Sequence, residues 1–308
     1  MIEQLHALKY HFMVSVWSFF DTKTEFHEIM HSKDFLIPGS LYFDPWNPAA
    51  RSMFFNFSNE NHFKIGVDAL WLDATEPESL QNINKTIFLG NGNDYLNSYS
   101  LMVAQAISEG KKSIDLNPRD FSLTRSSSAG QQRYGAVLWS GDIDGSWDSL
   151  RRQISMSINY QLSGNPYWSM DIDGFFRPAD QYTSDAYHLL LIRWFQFGMF
   201  VPLFRVHGTG SNTEIWNYGD DTANTIKNDI IRFRYRLLPY IYSGFHDVEQ
   251  SHYSMQRGMV FDFADDREVW DVADQFMFGY SFLVAPLFSQ DSFRNVYLPK
   301  ITGVWYVL

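Results

Sequence analysis

The sequence predicts an α/β fold whose parallel sheet closes into a (β/α)8 barrel, with six of the eight units visible, followed by the start of a β domain. Three observations predict it. Short apolar or aromatic runs alternate with longer helical patterns six times, the pattern of βα units. Five of the strand candidates run directly into a polar or charged cluster, beginning at Asp73, Arg125, Asp142, Asp171 and His207. Barrels build their sites from such C-terminal strand ends, whereas an open doubly wound sheet concentrates its site at one switch point. Beyond about residue 250 the pattern changes to short β-like runs separated by turn residues.

In chain order, the strand candidates are Phe12–Trp17, Ala69–Leu72, Phe121–Thr124, Ala136–Ser140, Tyr167–Met170 and Phe200–Val206. Each is a short apolar or aromatic run of strand length. Helical patterns lie between them at Lys23–His31, Pro48–Phe63, Tyr95–Glu109, Trp147–Leu162 and Ser184–Phe197, and a last one follows at Ala223–Ser243. Asp144 or Ser146 is placed to cap the helix that opens at Trp147. The later β-like runs are Gly258–Phe263, Ser281–Phe288 and Asn295–Leu298. The expected organisation is therefore a partial catalytic barrel over residues 1–250 and the beginning of a β domain over 251–308, with no Gly/Ser-rich linker between them.

Composition narrows the function classes. The chain of 308 residues has a net charge of −11, which disfavours a polyanionic partner such as nucleic acid. It has no cysteine, so disulfides, thiolate catalysis and Cys-ligated metal are ruled out while the compartment stays open. No run of about 18 apolar residues occurs, so no bilayer span is expected. Met1-Ile2-Glu3-Gln4-Leu5 is not a secretory leader, and the two sequons, at Asn56 and Asn84, are of a kind that arises by chance. No glycine-rich nucleotide loop and no phosphate-binding loop follows any strand. Aromatic residues reach 18%. Such an excess suits stacking against sugar rings, and it equally suits a large aromatic core.

The sharpest segment is Trp71-Leu72-Asp73-Ala74-Thr75-Glu76-Pro77-Glu78, an apolar strand ending in a carboxylate. Asp73-x-x-Glu76 followed by Pro77 also has the form of a helix capping box. The second is Trp139-Ser140-Gly141-Asp142-Ile143-Asp144-Gly145. It is not a calcium loop, because its glycine comes too early after the first carboxylate; Asp171-Ile172-Asp173-Gly174 fails the same test. Two carboxylates at neighbouring strand ends suit glycoside hydrolysis. One attacks the anomeric carbon; the other protonates the leaving oxygen and then activates water. Retention of configuration requires carboxyl groups about 5–5.5 Å apart. The acid must hold its proton near neutrality, which calls for poor solvation or a second negative charge nearby. Arg125 suits sugar hydroxyls or an ionised carboxylate, and His207 suits a hydroxyl of the reacting ring; a buried ion pair and a core histidine are the structural alternatives. Trp17, Trp71 and Trp139, at or beside strand ends, complete the substrate-binding candidates.

Taken together, these segments resemble glycoside hydrolase family 31, the α-glucosidases, α-xylosidases and related transglycosylases. By that resemblance the barrel is a TIM barrel, Asp73 matches the nucleophile and Asp142 the acid/base. Arg125-Ser126-Ser127-Ser128-Ala129-Gly130-Gln131-Gln132-Arg133-Tyr134 resembles the segment that carries the sugar-binding arginine, Arg125. Asp171 and Phe175 match residues lining the −1 subsite, and Phe204-Arg205-Val206-His207-Gly208 matches the strand with the substrate-binding histidine, His207. Asp274-Gln275-Phe276-Met277-Phe278-Gly279 and Leu283-Val284-Ala285-Pro286 look like the start of the β-sandwich that follows the family's barrel. No cofactor or metal is implied, and the implied partner is an oligosaccharide or glycoside. The Ala74-Thr75-Glu76-Pro77-Glu78 form, with Ala129-Gly130-Gln131-Gln132-Arg133, resembles the α-xylosidases most. The resemblance also implies that the chain enters at the third barrel strand. The first two strands and a carboxylate of the second strand's loop would then be missing. A polypeptide of that extent is expected to fold poorly alone, and a non-catalytic carbohydrate-binding remnant is the rival reading.

Overall fold

The computed structural model describes residues 1–77, 84–115 and 119–307; Glu78 of the first motif and Leu308 lie outside them. The chain divides into two compact units, Met1–Trp139 and Ser140–Leu308.

The first unit contains strands β1 (Met13–Trp17), β2 (Ala69–Asp73), β3 (Thr86–Ile87), β4 (Gly90–Asn91), β5 (Ser122–Thr124) and β6 (Ala136–Trp139). β1, β2, β5 and β6 form a parallel sheet in that order, while β3 and β4 make a small antiparallel pair. Strand β2 reads as an unbroken apolar run, Ala69-Leu70-Trp71-Leu72, because a parallel strand between two neighbours is covered on both faces. Helices α1 (Ile2–Ala7), α2 (Glu25–Ser32), α3 (Pro48–Asn61) and α4 (Tyr99–Ile114) belong to the same unit. The starts of α2 and α3 are fixed locally. Thr24 Oγ1 accepts from the His27 N–H, and the Asn47 side chain accepts from the Ala49 N–H with Pro48 opening α3.

Aromatic rings dominate the core of this unit. Phe20, Tyr42, Phe43, Trp46, Phe54, Phe55 and Tyr99 are all buried, and Phe43 stacks on Phe54 at 4.7 Å. Much of the aromatic excess therefore serves packing.

The second unit contains β7 (Trp168–Ser169) and helices α5 (Trp147–Leu162), α6 (Asp185–Gly198), α7 (Asp220–Thr225), α8 (Arg232–Arg236) and α9 (Leu238–Ser251). It also carries an antiparallel sheet of β8 (Gln256–Gly258), β9 (Phe276–Phe278) and β10 (Phe282–Val284), with β9 in the centre. A buried polar network joins α5 to β8. Gln161 Nε2 donates to Gln256 Oε1 at 2.8 Å, and Gln256 Nε2 donates to Ser157 Oγ at 2.8 Å. Ser254 donates to Gln161 as well, so these buried amides are satisfied.

Four segments depart from the expected elements. Gly258–Phe263 is strand only at Gly258, the last residue of β8; Met259–Phe261 turn into a 3-10 helix. Phe200–Val206 is not a strand; only Val206 pairs, with Ile172, in a single parallel bridge. Pro202 lacks an N–H for a ladder, and Arg234 takes the carbonyls of Met199 and Pro202 instead, at 2.8 and 3.0 Å. Ala223–Ser243 is not one helix. A π-helical turn, Ile226–Ile231, separates α7 from α8, and α9 restarts with Pro239 in its first turn. Asn295–Leu298 makes no strand; the Gln275 side-chain amide takes both backbone polar groups of Tyr297, each at 2.9 Å.

Candidate active site

In the first unit, strand register sets the site. Trp17 is the register partner of Asp73, Leu72 pairs with Thr124, and Thr124 pairs with Leu138. One residue further along each strand, Asp73, Arg125 and Trp139 fall side by side, so Trp17, Asp73, Arg125 and Trp139 form one row across four adjacent strand ends. Trp71 lies two residues before Asp73, and its ring meets Trp139 edge-to-face at 5.4 Å. Trp139 is buried, whereas Trp17 is exposed and lines a largely apolar hollow of about 340 Å³ with Phe19, Phe20, Phe54 and Phe57.

Asp73 is the last residue of β2 and starts no helix. Ala74 takes a left-handed conformation, φ 53°, which a first helical turn does not permit. The capping box is therefore not formed. Asp73 Oδ1 accepts from the Ala74 N–H at 2.7 Å and lies 3.4 Å from Arg125 Nη1. Glu76 pairs with Arg125 Nη2 instead of turning back to cap. The Arg125 side chain is 11% exposed, so its fork spans two carboxylates largely out of water.

In the second unit, Asp142 follows Gly141, which has φ 79°, and it is exposed. Ser146 is the cap of α5, its Oγ accepting from the Ser149 N–H at 3.2 Å. The 141–146 loop is zipped to the 171–177 loop: Phe175 N–H donates to Ile143 O at 2.7 Å, and Gly145 N–H to Phe176 O at 2.8 Å. This close approach requires glycine at 174, where φ is +80° and a Cβ would stand 2.3 Å from the Gly145 nitrogen.

Asp171 is fully buried and bonds Arg205. Burial pushes its carboxyl up to about 7, against the pull of Arg205, and the charge of Asp142 adds to the rise. Ile172 N–H donates to Arg205 O at 3.2 Å, which sets Asp171 beside the segment carrying His207. The Phe175 and His207 rings lie 5.3 Å apart. Burial, with the charges of Arg205 and Arg177, pushes His207 down to about 4, so it is a neutral hydrogen-bonding group near pH 7.

The same unit holds a polar group that no sequence motif had assigned a role: Asp173, Arg177 and Tyr218. Arg177 Nε is 3.7 Å from Asp173 Oδ2, and both side chains are shut from solvent. The Tyr218 hydroxyl lies 3.1 Å from Asp173 Oδ2 and 3.0 Å from Gln181 Oε1. Burial pushes Asp173 up to about 7. Sequence reasoning also passed over Glu76 and Arg205, although both stand inside quoted motifs; a charge close in the chain to a candidate carboxylate or histidine was the available signal. Tyr218 had no such signal, because its distance along the chain from Asp173 hides the contact.

Comparison with known proteins shows the family. Residues 1–244 match the glycosyl hydrolases family 31 TIM-barrel domain, and residues 252–308 match the glycosyl hydrolase family 31 C-terminal domain. An α-xylosidase of Saccharolobus solfataricus is 38% identical over 99% of this chain, which covers 42% of that protein. The structure of an α-xylosidase from Xanthomonas citri superposes with a TM-score of 0.90 at 34% identity, over 97% of this chain and 36% of that one. A soil-metagenome α-xylosidase solved with xylose gives a TM-score of 0.87 at 32% identity, over 94% of this chain and 47% of that one. The chain thus spans less than half the length of these relatives. The barrel fold followed by a further sheet domain, read from alternating runs and strand-end charges, is also the order of the two matched domains, and the chain belongs to glycosyl hydrolase family 31.

Proposed function

We propose that this chain carries the catalytic groups of a retaining α-glycoside hydrolase that releases terminal α-linked xylose. Asp73 attacks the anomeric carbon and forms a glycosyl ester as the leaving oxygen departs. Asp142 gives that oxygen its proton, then takes a proton from the water that cleaves the ester, restoring both carboxyl groups. The observation that carries the reading is the Asp73–Arg125 pair at adjoining strand ends. The largely buried guanidinium holds the Asp73 carboxylate in place at the strand end. Neutral His207, Asp171 and Phe175 serve to grip the ring, and hydrogen bonds there strengthen as oxocarbenium character develops.

Xylose is favoured over glucose by the Ala74-Thr75-Glu76-Pro77 form of the motif and by the α-xylosidases among the relatives. The sugars differ by one hydroxymethyl group, so the expected discrimination is about 1–3 kcal/mol, roughly 10–200-fold. Activity on an aryl α-xyloside against the matching α-glucoside tests the preference. Proton NMR of the first-formed sugar tests retention: α-xylose supports the reading, and β-xylose as first product refutes it. Transfer of the glycosyl group to a sugar hydroxyl would be a variant of the same chemistry.

A further inference from the structure

We propose that Thr75 is a positioning residue: its hydroxyl closes a directed ring of hydrogen bonds that sets Arg125 against Asp73. The inference rests on the proposed role of Asp73 and concerns what holds that site in register.

Thr75 and Thr124 are each about 1% exposed. Thr75 Oγ1 lies 2.9 Å from Thr124 Oγ1 and 3.1 Å from Ser126 Oγ, and Thr124 Oγ1 lies 3.0 Å from the Ser126 carbonyl oxygen. A carbonyl only accepts, so the single Thr124 proton goes to Ser126 O. Thr75 must then donate to Thr124, and Ser126 must donate to Thr75. All three protons are committed, and the ring runs one way: Ser126 hydroxyl to Thr75, Thr75 to Thr124, Thr124 to the Ser126 carbonyl. No hydroxyl retains a free rotor, and each bond polarises the next.

The ring brackets Arg125. Thr124 and Ser126 are its two chain neighbours, and Thr75 is two residues from Asp73. The two paired side chains, Asp73 and Arg125, are therefore tied through their near neighbours in the chain. Gln131 braces the far side. Its Nε2 donates to Ser126 O at 3.1 Å, while its Oε1 accepts from Ser128 N–H at 3.1 Å and Ser100 Oγ at 2.9 Å. Gln131 is itself buried, so the brace reaches α4 through groups held out of water. Removing the Thr75 hydroxyl leaves buried Thr124 and half-buried Ser126 to re-pair and frees the backbone on either side of Arg125. Reacting groups displaced by about 1 Å lose on the order of 10²-fold in rate.

Thr75→Val keeps the β-branched shape and removes the hydroxyl; Thr75→Ser keeps the hydroxyl and removes the methyl. In the enzyme carrying this sequence, assayed on an aryl α-xyloside, Thr75→Val should lower kcat on the order of 10²-fold with KM little changed. Thr75→Ser should recover most of that loss. Ser126→Ala, which deletes the donor into Thr75, should lower kcat in the same direction and serves if Thr75→Val does not fold. The proposal is overturned if both hydroxyl-deleting variants that fold keep the parent kcat, if Thr75→Ser is as impaired as Thr75→Val, or if the loss sits in KM. Asp73→Ala in the same assay separates the two levels. An active Asp73→Ala overturns the underlying reading and the proposal with it. An inactive Asp73→Ala beside fully active Thr75→Val and Ser126→Ala overturns the positioning role alone.

Discussion

Arg125 Nη1 lies 3.4 Å from Asp73 Oδ1, and the same guanidinium bonds Glu76 through Nη2. The pairing follows from register: Leu72 faces Thr124 across β2 and β5, so the next residue on each strand meets its counterpart where both strands end. A planar fork meets two carboxylates on two separate nitrogens, whereas a lysine must draw both to one. Arg125→Lys should therefore lower kcat/KM about 10–100-fold, or roughly 1.4–2.8 kcal/mol of transition-state stabilisation. Steady-state kinetics on an aryl α-xyloside measures it, and a lysine variant as fast as the parent contradicts the two-carboxylate role.

Asp142→Ala should lose about 10²–10⁴-fold on a natural glycoside, whose leaving group needs a proton. The loss should be far smaller on an aryl glycoside with an activated leaving group, and azide should restore turnover there by taking the glycosyl group from the ester. Equal losses on both substrates, with no azide effect, would remove Asp142 from the acid/base role.

His207 supplies a pH signature. Its folded form takes a proton only near pH 4, whereas the unfolded chain takes it near the ordinary value of 6.5. The unfolded state then binds more protons between those values, so this residue's contribution to stability falls as pH drops from about 6.5 to about 4. His207→Gln does not titrate. The Tm advantage of the parent over His207→Gln should shrink as pH is lowered across that window. A gap that stays constant or widens would mean that His207 is not held neutral.

The parallel sheet was legible because its strands are short apolar runs that end in charge. Asp73, Arg125 and Trp139 were legible for the same reason, each marking a strand terminus. Other features were hidden by physics that acts at a distance. The capping-box pattern at Asp73 lost to two forces invisible locally: the left-handed turn at Ala74 and the capture of Glu76 by Arg125. The run Phe200–Val206 has strand composition, yet Pro202 has no N–H to give a ladder and the buried Arg234 fork takes its carbonyl. The Asp173–Arg177–Tyr218 group joins residues brought together only by the folded loops, and hydropathy carries no trace of it.

The nucleophilic role of Asp73 is tested most directly by covalent trapping. A fluorinated xylosyl fluoride that forms the glycosyl ester quickly and hydrolyses it slowly should add one sugar mass to the protein. Peptide mass spectrometry should place that mass on Asp73, and Asp73→Ala should stay unlabelled. A label on another side chain, or turnover without any covalent adduct together with an inverted product, would contradict the double-displacement chemistry assigned to this site.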